Sequence, residues 1–460
     1  MKLKFYNSLG NELQEFVPLR DDRVSIYTCG PTVYDYAHIG NMRTYVSEDI
    51  LVRTLEALGY NVERAMNITD VGHLTDDGDE GDDKMLLGAQ REKKTVWEIA
   101  DYYTEAFFKD FDALKLKRPT IIEKATDHID DYVNFIGKLE DKGYTYQAGG
   151  NVYYDVSKFP NYTELNRLSL EDLKVGARDD VVVDKNKKNP FDFVLWFTQS
   201  RFENQQMRWK TKYGEGYPGW HLECSVIAMN AFGPRMDIHC GGVDHIATHH
   251  TNEIAQSEAY TGEKWVNYWW HAEWLIDKQG KMSKSRGEFL SLDYLKSQGY
   301  EPMDYKYFLL GSHYRRQLMF TFEGLDGAKE AYSKLKTRCL ALDPPVETDA
   351  YYDEFLSQLA NDLNTANALT VLYKCLNDKE LSSGEKAFAL ARMDEVLQLG
   401  LFEEKELELG LKEKIEAMVE ERNQAKLEKD YAKADKIRDE LIAMGVSIKD
   451  SKDGTTWALN

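Results

Sequence analysis

The stretch RVSIYTCGPTVYDYAHIGNMRTYVSEDILVRTLEALGYNVERAMNITDVG, Arg23–Gly72, decides the fold. Its opening, RVSIYTCG, alternates and ends in a small-residue turn, the pattern of a strand leaving a sheet. Past the turn, Val46, Ile50, Leu51, Leu55 and Leu58 recur at helical spacing, and Gly59 supplies the stop. Asn61–Gly72 reads as a second strand. Strand, helix and strand in that order predict a parallel sheet with a right-handed crossover. Ligands of such sheets sit beyond the carboxyl ends of the strands. The turn Cys29–Thr32 and the one after Thr69 both lie there.

Working outward, 460 residues are too many for one core, so two to four domains are expected. Residues 1–115 carry the first half of the sheet domain, in which DDGDEGDD (76–83) reads as a solvated acidic loop. Residues 116–190 mix helices with hairpin signals such as QAGGNVYYDV and look like an insertion. Alternation resumes at FDFVLWFTQS, opening the second half at 191–275, and a Gly- and Lys-rich segment follows at 276–320. Between 321 and 403 only amphipathic helical patterns occur, as in YDEFLSQLANDLNTANALTVLYKCL, which predicts a bundle. Residues 404–460 form a small last domain: a charged helical run up to Gly445, then a hairpin.

The net charge of −21, from 79 acidic and 58 basic side chains, argues against non-specific adhesion to membranes or nucleic acid. It leaves room for a local basic groove, because salt screens surface charge within about 8–10 Å. No stretch approaches the roughly 18 apolar residues of a membrane helix. The start, MKLKFYNSLGNELQEF, has no apolar signal-peptide core, so a cytoplasmic location is the expectation. Cys29, Cys224, Cys240, Cys339 and Cys375 are odd in number and scattered, without a Cys-x-x-Cys pair. That excludes a disulfide framework and a zinc finger as first readings.

Three segments carry chemistry. AHIGN (37–41) puts His38 and Asn41 at the start of a helix that follows a strand, where the helix dipole favours anionic groups. Standing alone, such a histidine reads as a cap. KMSKS (281–285) offers flexible ammonium groups suited to polyphosphate, and standing alone reads as a solvated basic turn. In HHTNEIAQSEAY (249–260), His249 and Glu253 lie one helical turn apart, able to hold a metal ion together. By spacing alone the stripe is His245, His249 and Glu253. If Thr248 caps the helix, His245 falls outside it, only His249 and Glu253 remain paired, and His250 faces elsewhere.

The words HIGN and KMSKS together resemble the two signatures of class I aminoacyl-tRNA synthetases, the first of which reads His-Ile-Gly-His. Asn41 stands at its fourth position; it can donate a hydrogen bond to phosphate but carries no proton charge. Within that class, YTCGPTVYDYAHIGN, GWHLECS, HHTNEIAQS and the closing DYAKADKIRDELIAMGVSIKDSKDGTTWAL resemble cysteinyl-tRNA synthetases, over nearly the whole chain. The resemblance implies an α/β, Rossmann-like parallel-sheet catalytic domain with an insertion, a stem-contact region after the second signature, an α-helical bundle and an anticodon-binding C-terminal domain. It implies a monomer acting on ATP with Mg2+, L-cysteine and tRNA(Cys).

The same resemblance implies one Zn2+ held by Cys29, Cys224, His249 and Glu253 and accepting the substrate thiolate. His38, Asn41, Lys281 and Lys284 would be catalytic, with His38, Gly40, Asn41 and Lys284 on ATP and Gly30, Thr69, Trp220 and Asp244 around the cysteine. Cys240 and Thr248 stand where the family commonly has glycine and proline. A thiolate is a soft ligand that zinc favours over a serine hydroxyl. An ordinary pocket separates such side chains by only ~1–3 kcal/mol. A metal–sulfur bond makes an editing domain unnecessary, and the insertion is too small to be one.

In the tail, Lys426, Lys429, Lys433, Lys436 and Arg438 concentrate positive charge. They predict a groove for the anticodon, with Trp457 as a stacking platform. Two other readings are a ligase that delivers cysteinyl-adenylate to an amino sugar, and a zinc-stabilised RNA-binding protein without activity. The retained C-terminal end argues against the first; intact His38, Lys281 and Lys284 argue against the second.

Overall fold

The computed structural model describes residues 1–72, 85, 94–167, 184–199, 206–277, 280–281, 290–404, 409–444, 446–451 and 454–459. The chain divides into two compact units, Met1–Leu401 and Phe402–Asn460.

The first unit is built on a five-stranded, all-parallel sheet. Its spatial order is Val266–Ala272, Met236–Gly242, Val24–Thr28, Val62–Ile68 and Ile121–Lys124. Numbered along the chain that is 5-4-1-2-3, the doubly wound order. Val24–Thr28 is central and every residue of it is buried. Its alternating side chains feed two cores: Val24 and Ile26 pack with Leu51, Leu55, Ile238 and Trp270, while Tyr27 packs with Ile227, Ala228, Met236 and Trp269. Helix Ile39–Ala57 covers the first face and helix Trp220–Phe232 the second. Both faces being covered explains why these strands read as near-continuous apolar runs. The order reverses between Val24–Thr28 and Met236–Gly242, and the crevice at their carboxyl ends is where ligands of this architecture bind.

A second, antiparallel sheet has the order Thr145–Ala148, Asn151–Tyr154, Phe193–Phe197, Gly214–Pro218 and Trp209–Thr211. Four strands therefore fall on the other side of the boundaries read from sequence. Ile121–Lys124 closes the edge of the parallel sheet, and Phe193–Phe197, Trp209–Thr211 and Gly214–Pro218 belong with the insertion's sheet. Local alternation marks a strand but says nothing of its partner.

Helices Phe322–Leu340, Tyr352–Leu359, Thr365–Asn377 and Ser383–Leu397 follow as the bundle. In the second unit, the charged run expected as one helix is two, Leu409–Leu427 and Tyr431–Ala443. Lys429 takes a left-handed conformation (φ 62°) between them, a turn that periodicity does not announce. The hairpin Val446–Ser451 and Gly454–Leu459 closes the unit over Ile415, Val419, Ile437 and Leu441. Among the described residues, no helix is long and apolar enough to cross a membrane.

Candidate active site and metal centre

A cavity of about 510 Å³ opens at the switch point of the parallel sheet. Cys29, Gly30, His38, Gly40, Asn41, Thr69, Trp220, Cys224, Asp244 and His249 all line it. Glu253 is fully buried one helical turn below His249. Lys281 ends the short strand Gly280–Lys281; Lys284 lies outside the described residues, as do the acidic loop and Gly445.

The sheet register places Thr28 opposite Cys240, so Cys29 and Gly30 leave one strand beside Gly241 and Gly242 of the next. Gly30 has no substitute: a Cβ there would sit 1.6 Å from the Asn67 carbonyl oxygen. That close approach lets Gly30 N–H donate to Asn67 Oδ1 at 2.8 Å. Asn67 Nδ2 in turn donates to Thr69 Oγ1 (2.9 Å), and Thr69 Oγ1 donates to Glu223 Oε2 (2.8 Å). The floor of the cavity is thus a fixed polar chain, and neither Asn67 nor Glu223 carried a signal in the sequence.

At the cavity's other end, helix Ile39–Ala57 begins with His38 as its cap. The Ile39 N–H donates to Leu290 O at 2.8 Å, so the chain just past the second signature docks on the helix that starts with the first.

Cys29, His249, His250 and Glu253 each offer a donor atom within 4.8 Å of the others, all buried. Cys224 Sγ lies 3.9 Å from Cys29 Sγ, bringing a fifth donor to the same place. Helix His249–Thr261 begins directly after Thr248, whose side chain makes no capping bond. His245 precedes it in a short turn, Val243–His245.

His250 does not face elsewhere. Its Nε2 lies 3.4 Å from Cys29 Sγ and 3.9 Å from Glu253 Oε1. Consecutive helical residues diverge by about 100°, but the strand end carrying Cys29 covers the flank to which His250 turns. Outer contacts orient these rings. His250 Nδ1 meets His271 Nε2 at 2.8 Å, and His271 Nδ1 meets Ser8 Oγ at 2.7 Å. His249 Nδ1 lies 3.0 Å from His221 Nδ1, and His239 Nε2 lies 3.0 Å from Glu253 Oε2. Trp220 stacks on His249 with ring centres 4.3 Å apart. Of the chain's ten histidines, His221, His239, His245, His249, His250 and His271 gather here. Several lie in quoted motifs, so their density was the available signal.

Burial alone would keep the centre neutral. It pushes the Cys29 and Cys224 thiols and the Glu253 carboxyl up, and the His250 and His271 imidazoles well down. Glu253 Oε1 is 3.1 Å from His249 Nε2 yet makes no aligned hydrogen bond. Buried sulfur, imidazole and carboxylate donors converging on one point, with Glu253 Oε1 lacking a hydrogen-bond partner there, fit a divalent cation, whose charge reverses these preferences. Cys240 takes no part: it is packed among Ile26, Ile238 and Trp270.

In the tail, Lys433 pairs with Glu421 at 2.9 Å, Lys436 lies 3.9 Å from Glu440 and Arg438 3.9 Å from Asp435. Trp457 is half-buried against the small core of its unit. Its ring supplies apolar area that a unit this small needs.

The profile of the class I (C) tRNA synthetase catalytic domain matches residues 15–330, and that of the cysteinyl-tRNA ligase anticodon binding domain matches residues 409–457. A cysteine–tRNA ligase of Treponema denticola is 47% identical, over 99% of both chains. One from Burkholderia lata is 42% identical, over 99% of this chain and 96% of that one. Among solved structures, Mycobacterium tuberculosis methionyl-tRNA synthetase bound by methionyl-adenylate superposes with a TM-score of 0.54 at 12% identity, covering 82% of this chain and 90% of that one. At that identity the likeness is one of fold.

Proposed function

The chain belongs to the cysteinyl-tRNA ligase family of class I synthetases, and from that premise we propose how its residues divide the work of joining cysteine to tRNA. In the first step the cysteine carboxylate attacks the α-phosphate of magnesium-bound ATP, and pyrophosphate leaves. In the second, a ribose hydroxyl of the tRNA's terminal adenosine attacks the adenylate carbonyl, and AMP leaves. Catalysis of such chemistry is mostly positioning and charge stabilisation.

His38, Gly40 and Asn41 hold the phosphates at the positive end of their helix. Lys281 and Lys284 neutralise the departing pyrophosphate. Gly30, Thr69 and Trp220 bound the amino-acid pocket, and Asp244 takes the substrate ammonium. Their common lining of one cavity supports this division.

Cys29, Cys224, His249 and Glu253 are the ligands proposed for zinc, with His250 as the further donor beside them. Zinc bound there supplies a soft Lewis acid that the cysteine sulfur suits and the serine oxygen does not. His221 and His239 orient His249 and Glu253 from behind. Residues 276–320 contact the acceptor stem, 321–403 form the bundle, and 404–460 read the anticodon. The C-terminal family match supports a tRNA acceptor over an amino sugar. The enzyme is proposed to act as a cytoplasmic monomer.

One observation carries the reading: the buried Cys, His and Glu donors lie against the same cavity that the first signature lines. The test is amino-acid-dependent ATP–pyrophosphate exchange with cysteine and with serine, before and after stripping zinc. Exchange with cysteine alone, lost on stripping and restored by zinc, is expected. Equal activation of serine, or indifference to stripping, overturns it.

A further inference from the structure

Trp274 lies seven residues before Lys281, where the chain leaves the last parallel strand and heads for the second signature. It lines the cavity together with Asp244. Its indole Nε1–H donates to Asp244 Oδ1 at 3.2 Å. The carboxylate reaches that position because residue 242 is glycine: a Cβ there would stand 2.6 Å from Asp244 Oδ1.

The backbone of Trp274 is itself pinned. Its carbonyl accepts from the Arg43 guanidinium and from the Leu318 N–H, the latter at 3.1 Å. Arg43 is buried, and also donates to the carbonyls of Arg316 and His313, the latter at 3.4 Å. It sits two residues beyond Asn41 on the first-signature helix. A planar fork of donors on three carbonyls leaves this loop little freedom. The indole therefore approaches Asp244 from a fixed frame.

We propose that Trp274 is a positioning residue for the amino group of cysteine, fixing the plane of the Asp244 carboxylate that receives it. This rests on the reading that Asp244 holds the substrate ammonium. The choice of donor matters. A neutral N–H orients a carboxylate without cancelling its charge, whereas a lysine or arginine at 274 would compete with the substrate for the same oxygens.

The experiment compares Trp274→Phe, Trp274→Gln and Asp244→Asn with the parent chain in ATP–pyrophosphate exchange, measuring KM for cysteine and for ATP separately. Phe keeps a ring and loses the donor; Gln keeps an N–H at similar reach and loses the ring. Trp274→Phe is expected to raise the cysteine KM roughly tenfold, as for loss of one hydrogen bond to a charged group. Its ATP KM stays within about twofold, which also certifies the fold, and Trp274→Gln recovers part of the loss. A cysteine KM unchanged in Trp274→Phe but raised in Asp244→Asn overturns the role of Trp274 alone. An unchanged KM in Asp244→Asn removes the ammonium site and the inference with it. A parallel rise in both KM values for Trp274→Phe overturns the proposal in favour of a purely structural part.

Discussion

His38 and Asn41 cap one helix reciprocally: Asn41 N–H donates to His38 Nδ1 at 3.1 Å, and His38 N–H donates to Asn41 Oδ1 at 3.1 Å. With Nδ1 accepting, the neutral ring carries its proton on Nε2. The backbone N–H of residue 41 thus fixes the tautomer of His38, while the Asn41 side chain satisfies the His38 N–H. Asn41→Asp preserves the accepting oxygen but sets a negative charge where the phosphates are proposed to bind. It is expected to lower kcat/KM for ATP roughly a hundredfold in pyrophosphate exchange, with unchanged thermal stability. Full activity in the Asn41→Asp variant would remove this position from the phosphate site.

The five buried donors around Cys29 separate by mutation. Cys29→Ser and Glu253→Gln are expected to abolish tight zinc binding, measured as metal per chain after gel filtration, together with cysteine-dependent exchange. His250→Gln is expected to retain zinc with affinity reduced by about 10–100-fold, the usual effect of losing a group that supports a ligand. Complete loss of metal in that variant would make His250 a ligand in its own right.

Arg43→Ala strips the donor from three backbone carbonyls at once. Trp274 O keeps the Leu318 N–H and His313 O keeps the Arg316 N–H, so the loss expected in urea unfolding is that of one buried carbonyl, about 1–3 kcal/mol. Arg43→Lys should lose less, because one ammonium can reach some but not all of the three.

Glu48 and Arg64 form a buried pair behind the sheet, 2.9 Å apart. Burial outweighs the attraction of Arg64 and lifts the Glu48 carboxyl from 4.5 to about 7. A raised folded-state value means that the folded protein binds more protons than the unfolded one between those pH values. This contribution is therefore full below pH ~4.5 and is lost as pH rises towards ~7, about 3 kcal/mol in all. Glu48→Gln mimics the neutral carboxyl, so it should match the parent near pH 4.5, gain on it towards pH 7 and flatten that slope. Chemical denaturation across the window reads both, and an unaltered slope would assign the pH dependence to other groups.

Truncation after Glu404 removes nearly all of the second compact unit. Cysteine-dependent exchange should persist, while charging of tRNA should fall by orders of magnitude. Equal loss of both activities would count against 404–460 as a tRNA-reading unit.

Local chemistry was legible in the chain itself. The strand, helix and strand of Arg23–Gly72 stand where periodicity puts them, with Gly59 beyond the helix in a left-handed conformation. The four-residue spacing of His249 and Glu253 likewise placed both on one helix face. These are properties of a few consecutive residues, set by the 3.6 and 2.0 periods of the backbone.

What only the tertiary structure decided is which distant pieces meet. Cys29 and Cys224 are 195 residues apart and come within 3.9 Å because their strand and helix pack on one face of the sheet. The turn of His250 towards Cys29, its support through His271 by Ser8, and the assignment of Phe193–Phe197 to the insertion's sheet have the same origin. Periodicity specifies which side of an element is apolar, but not the partner that buries it. Buried donors acquire their neighbours only from that choice of partner.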